Sequence, residues 1–206
     1  MKTFAMKKDT FVWHRDSERH AREILVDALA EYEKKYPYRY GMKKAEVQMT
    51  FFKKIKPNVF DQYLTLLEEE GVIRKVDEFL GTPEFEVRKD KVYDQVSSVI
   101  LKTVKNAKYD FVRYADMEFK GVSREVADDI LNILLEEKAV VKVGDDMCTL
   151  TEYMDQAKEM ISEKLSVNPV ITIAEVRDMF RTSRKSAKPI LEYMDSIKVT
   201  KKTGAE

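Results

Sequence analysis

Between Arg177 and Lys202 the chain carries eight lysines and arginines, at 177, 181, 184, 185, 188, 198, 201 and 202. Only three acids, at 178, 192 and 195, stand against them. A local excess of that size is suited to phosphate, which an arginine fork bridges and a lysine ammonium meets as a point charge. Arg184 and Lys185 follow Thr182 and Ser183, whose side-chain oxygens can cap the free N–H groups of a starting helix. A cation in a first helical turn opposes the helix dipole by some tenths of a kcal/mol, which an anion joining it would offset. Residues 91–150, by contrast, hold nine lysines and arginines against eleven acids, so the basic character is confined to the last part of the chain.

Other chemistry has little support. The six glycines, at 41, 71, 81, 121, 144 and 204, stand singly, so neither a P-loop nor a dinucleotide fingerprint is present. The two histidines, His14 and His20, are six residues apart and fall on different faces of a helix, unsuited to one metal. Cys148 lies in a predicted strand and reads as a small buried hydrophobe. Glu68, Glu69 and Glu70, like Glu136 and Glu137, end helices on solvated faces. Tyr32, Tyr36, Tyr38 and Tyr40 with Arg39 could form a stacking platform for bases, but packing around Pro37 explains the cluster better. No catalytic and no metal-binding residue is assigned.

The basic stretch is positioned by a pattern of helices and turns. Ile173, Val176 and Phe180 recur at helical spacing, as do Ala187, Ile190, Leu191 and Met194, with Thr182 and Ser183 between the runs. That is a helix-turn-helix, followed by a predicted strand through Val199 to Lys202. On the second helix, Arg184, Lys185 and Lys188 lie roughly 120° from the centre of the apolar sector, so one side packs while the next presents cations. Pro189 removes an N–H from that helix.

Upstream, Thr3–Trp13 reads as a strand, and Asp16 or Ser17 as the cap of a helix running to about Lys35. Shorter helices over Lys43–Phe52 and from Pro57 to Gly71 follow. Strands are expected at Val72–Val76 and Phe85–Val87 around a turn at Gly81-Thr82-Pro83. The order then recurs: helix Tyr93–Lys105, a short strand Tyr109–Val112, a brief helix near Tyr114–Phe119, and helix Arg124–Glu137 capped by Ser123. Strands Val140–Val143 and Met147–Leu150 flank Gly144-Asp145-Asp146, and helix Glu152–Leu165 leads into the last pair. LLEEEGVIRK begins at Leu66, LLEEKAVVKV at Leu134 and YMDSIKVTKK at Tyr193, starts 68 and 59 residues apart. Self-similarity at that spacing marks tandem copies of one unit. Three helices and a two-stranded ribbon make a winged helix, so the predicted fold is mainly α with small β-wings (α+β), an array of three winged helices. Their expected spans are 15–89, 90–150 and 151–206, after a strand remnant of a preceding domain over 1–14.

The chain has 206 residues, no net charge, 36% charged and 44% hydrophobic residues, a profile with apolar content for a core. Neutrality means that any polyanion site is local. A single cysteine suits a reducing compartment, and no apolar run approaches the ~20 residues of a membrane span, so a cytoplasmic chain without membrane contact is expected.

The segments ITIAEVRDMF (171–180), TSRK (182–185) and PILEYMDSIKVTKK (189–202) resemble the C-terminal region of the bacterial selenocysteine-specific elongation factor family, SelB. That region has a threonine-valine-alanine-glutamate start, a TSRK turn, a proline-containing helix ending in LEY-x-D, and a V-T-[RK]-[RK] strand. AEYEKKYPYRYGMKKAEV (30–47) and LLEEEGVIRK (66–75) resemble the family's H-x-x-N-P-L-R-x-G-[LM] segment. The resemblance implies four winged-helix domains behind a GTPase body, with this chain holding the second to fourth. The last would bind the hairpin in selenoprotein messenger RNA that recodes UGA, tethering the upstream GTPase and its selenocysteinyl-tRNA. It maps the RNA-contacting turn onto Thr182, Ser183, Arg184 and Lys185; with the flanking cations Arg181, Lys188, Lys201 and Lys202 these form the candidate RNA-binding set. Where the family has glycine before TSRK and tyrosine after it, Arg181 and Ser186 stand here. No cofactor is expected in this chain, since GTP and magnesium belong to the absent upstream body. The expected partner is the messenger RNA hairpin, the ribosome is a second candidate, and a monomer is expected. A regulator of double-stranded DNA and a protein-interaction scaffold are the alternatives; an enzyme is the least supported class.

Overall fold

A computed structural model of the chain describes residues 2–5 and 10–203, with side chains from Val12 onward. It divides into two compact units, 1–89 and 90–206. Small antiparallel sheets accompany a mostly helical chain, the α+β winged-helix arrangement.

In the first unit, Lys2–Ala5 (β1) pairs antiparallel with Thr10–Trp13 (β2), with Phe4 opposite Phe11. The tract expected as one strand is therefore a ribbon. The helix Arg15–Lys35 (α1) is capped by neither Asp16 nor Ser17, because the His14 Nδ1 accepts the Asp16 N–H at 3.3 Å. Asp16 instead sits in the first turn, where an acid favours the dipole. Lys44–Phe51 (α2) and Pro57–Glu69 (α3) follow, and Pro57 starts α3 where its missing N–H costs nothing. Leu25 and Leu29 of α1, Val47 of α2, and Phe60, Leu64 and Leu67 of α3 make a core from which solvent is almost excluded. Trp13 joins it edge-on to Tyr63, with ring centres 5.1 Å apart.

The first wing differs from the sequence expectation. Its strands are Arg74–Val76 (β4) and Phe79–Gly81 (β5), turning at Asp77 and Glu78, with Asp77 at φ 50°. The turn that begins at Thr82 and Pro83, closed by the Phe85 N–H on the Thr82 carbonyl at 3.2 Å, follows the wing instead of joining its strands, and Phe85–Val87 is not a strand. The reason is the buried Glu33, whose carboxylate accepts the Thr82 N–H at 2.6 Å and its hydroxyl at 2.7 Å. That fixes Thr82 at the end of β5. A third strand, Met42–Lys43 (β3), completes the sheet in the order β3-β5-β4. Two residues are too few for periodicity to reveal.

In the second unit, Asp90 caps Lys91–Ala107 (α4), its carboxylate accepting from the Val92 and Tyr93 N–H groups. Tyr109–Val112 is not a strand, and the brief helix after it is one 3-10 turn, Tyr114–Asp116. Ser123 caps Arg124–Glu136 (α5) as expected. The ribbon Val140–Val143 (β6) and Met147–Leu150 (β7) has the predicted bounds. Thr151–Val167 (α6), Ile173–Phe180 (α7) and Arg184–Ser196 (α8) complete the unit. Residues 197–203 form no strand, so the expected V-T-K-K strand is absent among the described residues. No strand among them lies alongside to supply a ladder.

The repeat is physical as well as textual. Gly71, Lys138 and Lys198 each take a left-handed conformation after their helix, at φ 67°, 57° and 61°. The next residue's N–H then returns to a helical carbonyl: Val72 to Leu67, Ala139 to Leu134, and Val199 to Met194. This is one helix-ending motif used three times. Its register equates Leu67, Leu134 and Met194, one residue off the textual alignment of the first copy with the second.

Within this unit, the core under α6, α7 and α8 is closed by Val143 from the ribbon, with Tyr109, Phe111 and Val141 packed against it. The segments 90–150 and 151–206 thus share buried surface.

Candidate nucleic-acid interface

The turn between α7 and α8 is built from three local devices and one distant one. A capping box opens α7: the Thr172 hydroxyl oxygen accepts the Glu175 N–H at 3.2 Å, and Glu175 accepts the Thr172 N–H at 2.9 Å. The Thr172 N–H, and after it the Thr172 hydroxyl donating to the same carboxylate at 3.0 Å, hold the Glu175 carboxyl below its ordinary range. Arg181 ends α7 in the left-handed region, at φ 48° and ψ 47°. Ser183 opens α8, its side-chain oxygen accepting the Ser186 N–H at 3.3 Å. Beneath, Val176, Phe180, Ala187, Ile190 and Met194 are buried.

The fourth device comes from the loop after α4. The single Thr182 hydroxyl proton is shared between the Tyr109 carbonyl, at 2.7 Å, and the Asp110 carboxylate, at 2.5 Å. The Ser183 N–H reaches the same Asp110 oxygen at 3.3 Å. Thr182 and Ser183 are therefore engaged within the fold. Sequence reading gave no sign of Tyr109 and Asp110, which lie some seventy residues away with no charge pattern or spacing to tie them to the turn.

Arg181, Arg184, Lys185 and Lys188 are exposed. Among the described residues, no ion pair engages Arg181, Arg184 or Lys185, whereas Lys188 stands 3.5 Å from Glu192 one turn on. The first turn of α8 contains no acid. Its N–H dipoles and two cations thus make one positive surface. Lys201 and Lys202 lie elsewhere: with Lys188 and Lys198 they rim a groove of about 680 Å³, floored by Leu191 and Val199. Glu192 and Asp195 line it too, Asp195 accepting the Thr200 hydroxyl. The eight candidates therefore form two groups joined along α8, one at the turn and one at the groove.

The departure at Arg181 has a measurable cost. A side chain in the left-handed region is disfavoured by roughly 1–2 kcal/mol relative to glycine, part of which glycine returns through its freer unfolded state. Arg181→Gly is expected to stabilise the second unit by about 0.5–1 kcal/mol in urea unfolding. It should also weaken binding of a polyanion at low salt, since it removes a turn cation. Ser186, the other departure, is buried, at 5% exposed.

The remaining sequence candidates resolve as packing. Cys148 is 2% exposed, and burial pushes its thiol up to about 11, far from a reactive thiolate. His14 is a helix cap, His20 is exposed, and no three His, Cys, Asp or Glu side chains among the described residues are grouped as for a metal. The face of Tyr36 is covered by the Arg39 guanidinium at 3.8 Å, and Tyr38 is buried. Glu68 pairs with Lys75, and Glu70 with Arg22. No helix among the described residues is long and apolar enough to cross a membrane.

Two family models, each described as "Elongation factor SelB, winged helix", match residues 26–80 and 163–206. The selenocysteine-specific elongation factor of Desulfomicrobium baculatum is 23% identical over 207 residues, covering 96% of this chain and 33% of its own length. The chain thus spans about a third of that curated relative. The crystal structure of bacterial selenocysteine-specific elongation factor EF-Sec superposes with a TM-score of 0.50 at 15% identity, over 99% of this chain and 31% of that one.

Proposed function

We propose that this chain is the winged-helix region of a SelB-type elongation factor and that it binds a structured messenger RNA hairpin. In this reading the turn cations Arg181, Arg184 and Lys185 take the RNA backbone beside a loop or bulge, with Lys188 extending the contact along α8. Lys201 and Lys202 reach the same RNA further along, from the groove. The chain performs no chemistry of its own. It ties the hairpin to a GTPase body that delivers selenocysteinyl-tRNA at a UGA codon, in the cytoplasm and at the ribosome, and it acts as a monomer.

The observation that carries this reading is the exposure of three cations around one helix start, none in an ion pair among the described residues, in a chain with no net charge. An A-form stem hides its base edges in a deep groove, so recognition falls on unstacked bases in loops and bulges, where an arginine plane can stack. One compact basic patch fits such a target better than a continuous duplex. Thr182 and Ser183 then serve by shaping the turn.

The test is a titration against the hairpin that follows the in-frame UGA of a selenoprotein message, with a fully paired RNA stem and a DNA duplex alongside. Arg184→Ala and Lys185→Ala are each expected to weaken hairpin binding about tenfold, corresponding to roughly 1–2 kcal/mol. Each should flatten the slope of log affinity against log salt by about one unit. Unchanged hairpin binding in both variants would refute the site; tighter binding of the DNA duplex would make the chain a DNA regulator.

A further inference from the structure

The turn that presents the cations is held from outside its own helix pair. The loop after α4 reaches it with three groups: the Tyr109 ring lies 4.6 Å from that of Phe180, the Tyr109 carbonyl accepts the Thr182 hydroxyl, and the Asp110 carboxylate accepts that hydroxyl and the Ser183 N–H. The loop itself is fixed. The Tyr109 hydroxyl donates to the Tyr153 carbonyl at 3.2 Å, and the Thr149 hydroxyl donates to the Lys108 carbonyl at 3.3 Å. Asp110 is thus a carboxylate on a braced support, set against the start of the helix that carries Arg184 and Lys185.

We propose that Asp110 is a positioning residue for RNA binding: its carboxylate fixes residues 181–183 and so sets where Arg181, Arg184 and Lys185 stand. The inference rests on the RNA-binding reading above. Two physical arguments support it. Arg181 occupies a left-handed conformation that a non-glycine side chain adopts at a cost, and such a residue persists when its surroundings over-determine it. The two bonds to Asp110, adjoining Arg181, supply that constraint. Second, the start of a helix attracts anions through its free N–H groups. Here the protein's own carboxylate holds the Ser183 N–H, so an incoming phosphate meets the helix start one residue on, at Arg184 and Lys185. The segment 90–150, too acidic to attract RNA itself, thereby governs the binding geometry of the last segment.

Charge and positioning predict opposite signs, which makes the proposal testable. Removing an acid beside a basic patch should by itself tighten RNA binding. Asp110→Ala is instead expected to weaken binding of the UGA-proximal hairpin at least fivefold. Asp110→Asn, which keeps an oxygen to accept both bonds, should bind as tightly as the parent or more tightly. Thr182→Val should lose a similar factor, Thr182→Ser should regain it, and combining Asp110→Ala with Thr182→Val should cost no more than the worse single change. Should Asp110→Ala not fold, the Thr182→Val and Thr182→Ser pair decides alone: a loss regained supports the proposal, and equal affinities overturn it. Asp110→Ala binding as tightly as Asp110→Asn, while Arg184→Ala is weakened, overturns the positioning role and leaves the RNA site standing. If Arg184→Ala and Lys185→Ala are both unaffected, the RNA reading fails and the positioning role with it.

Discussion

Gly41→Ala is expected to destabilise the first unit by about 3–5 kcal/mol, from backbone strain and overpacking acting together. Gly41 sits at φ +137°, and a Cβ built there would fall 2.2 Å from the Leu80 carbonyl oxygen. Neither party can give way cheaply. Leu80 is 1% exposed in the core and is paired to Met42 in the β3–β5 ladder. Relief requires parting β3 from β5, which opens the sheet over Val47 and Phe60. Gly71→Ala is the control: its φ is also positive, at +67°, but nothing lies within 4 Å of its Cβ, so only left-handed strain of about 1 kcal/mol remains. The chain's single tryptophan, Trp13, packs on Tyr63 in this unit, so urea unfolding followed by its fluorescence reads both variants. Equal midpoints for the two substitutions would defeat the steric argument.

Gly41 also shows where the sequence was legible. Its place as a break after α1 could be read, but its closeness to Leu80 could not, because that depends on a two-residue strand pairing with residues nearly forty positions on. Local signals were otherwise informative: Ser123 is the cap expected of it, Ser183 is the cap of the two candidates Thr182 and Ser183, and β6 and β7 have the expected bounds. Failures came where a distant group overrode local preference. Gly81-Thr82-Pro83 has turn chemistry and the chain does turn at Pro83, yet Glu33 on α1 holds Thr82 at the end of β5 and the wing itself turns at Asp77. Val199 to Lys202 has strand composition, but a strand needs a partner ladder. The candidate interface divides the same way. Side-chain charge is written in the sequence, so the cations could be named. The contacts of Asp110 and Tyr109 are tertiary, so the groups that shape the turn could not.

Ile190→Ala is expected to destabilise the second unit by about 2–5 kcal/mol, lowering its thermal midpoint by roughly 10 °C. Ile190 is fully buried against Val176, Phe180 and Met194, on the underside of α8 from the cations. Its loss should be felt strongly because α8 is weakly held by its own backbone there. Pro189 supplies no N–H to the Lys185 carbonyl, leaving the ladder a bond short just behind Arg184 and Lys185. Packing from below must replace what the ladder lacks. Leu191, half-buried at the groove, should cost much less when cut to alanine. Ile190→Val, which removes one methyl group, should cost about 0.5–1.5 kcal/mol and leave hairpin affinity unchanged. A loss of affinity in Ile190→Val larger than in Arg184→Ala would mean that binding depends on the helix's rigidity more than on its charge. The cations hold their places because the face beneath them is packed and the turn before them is clamped.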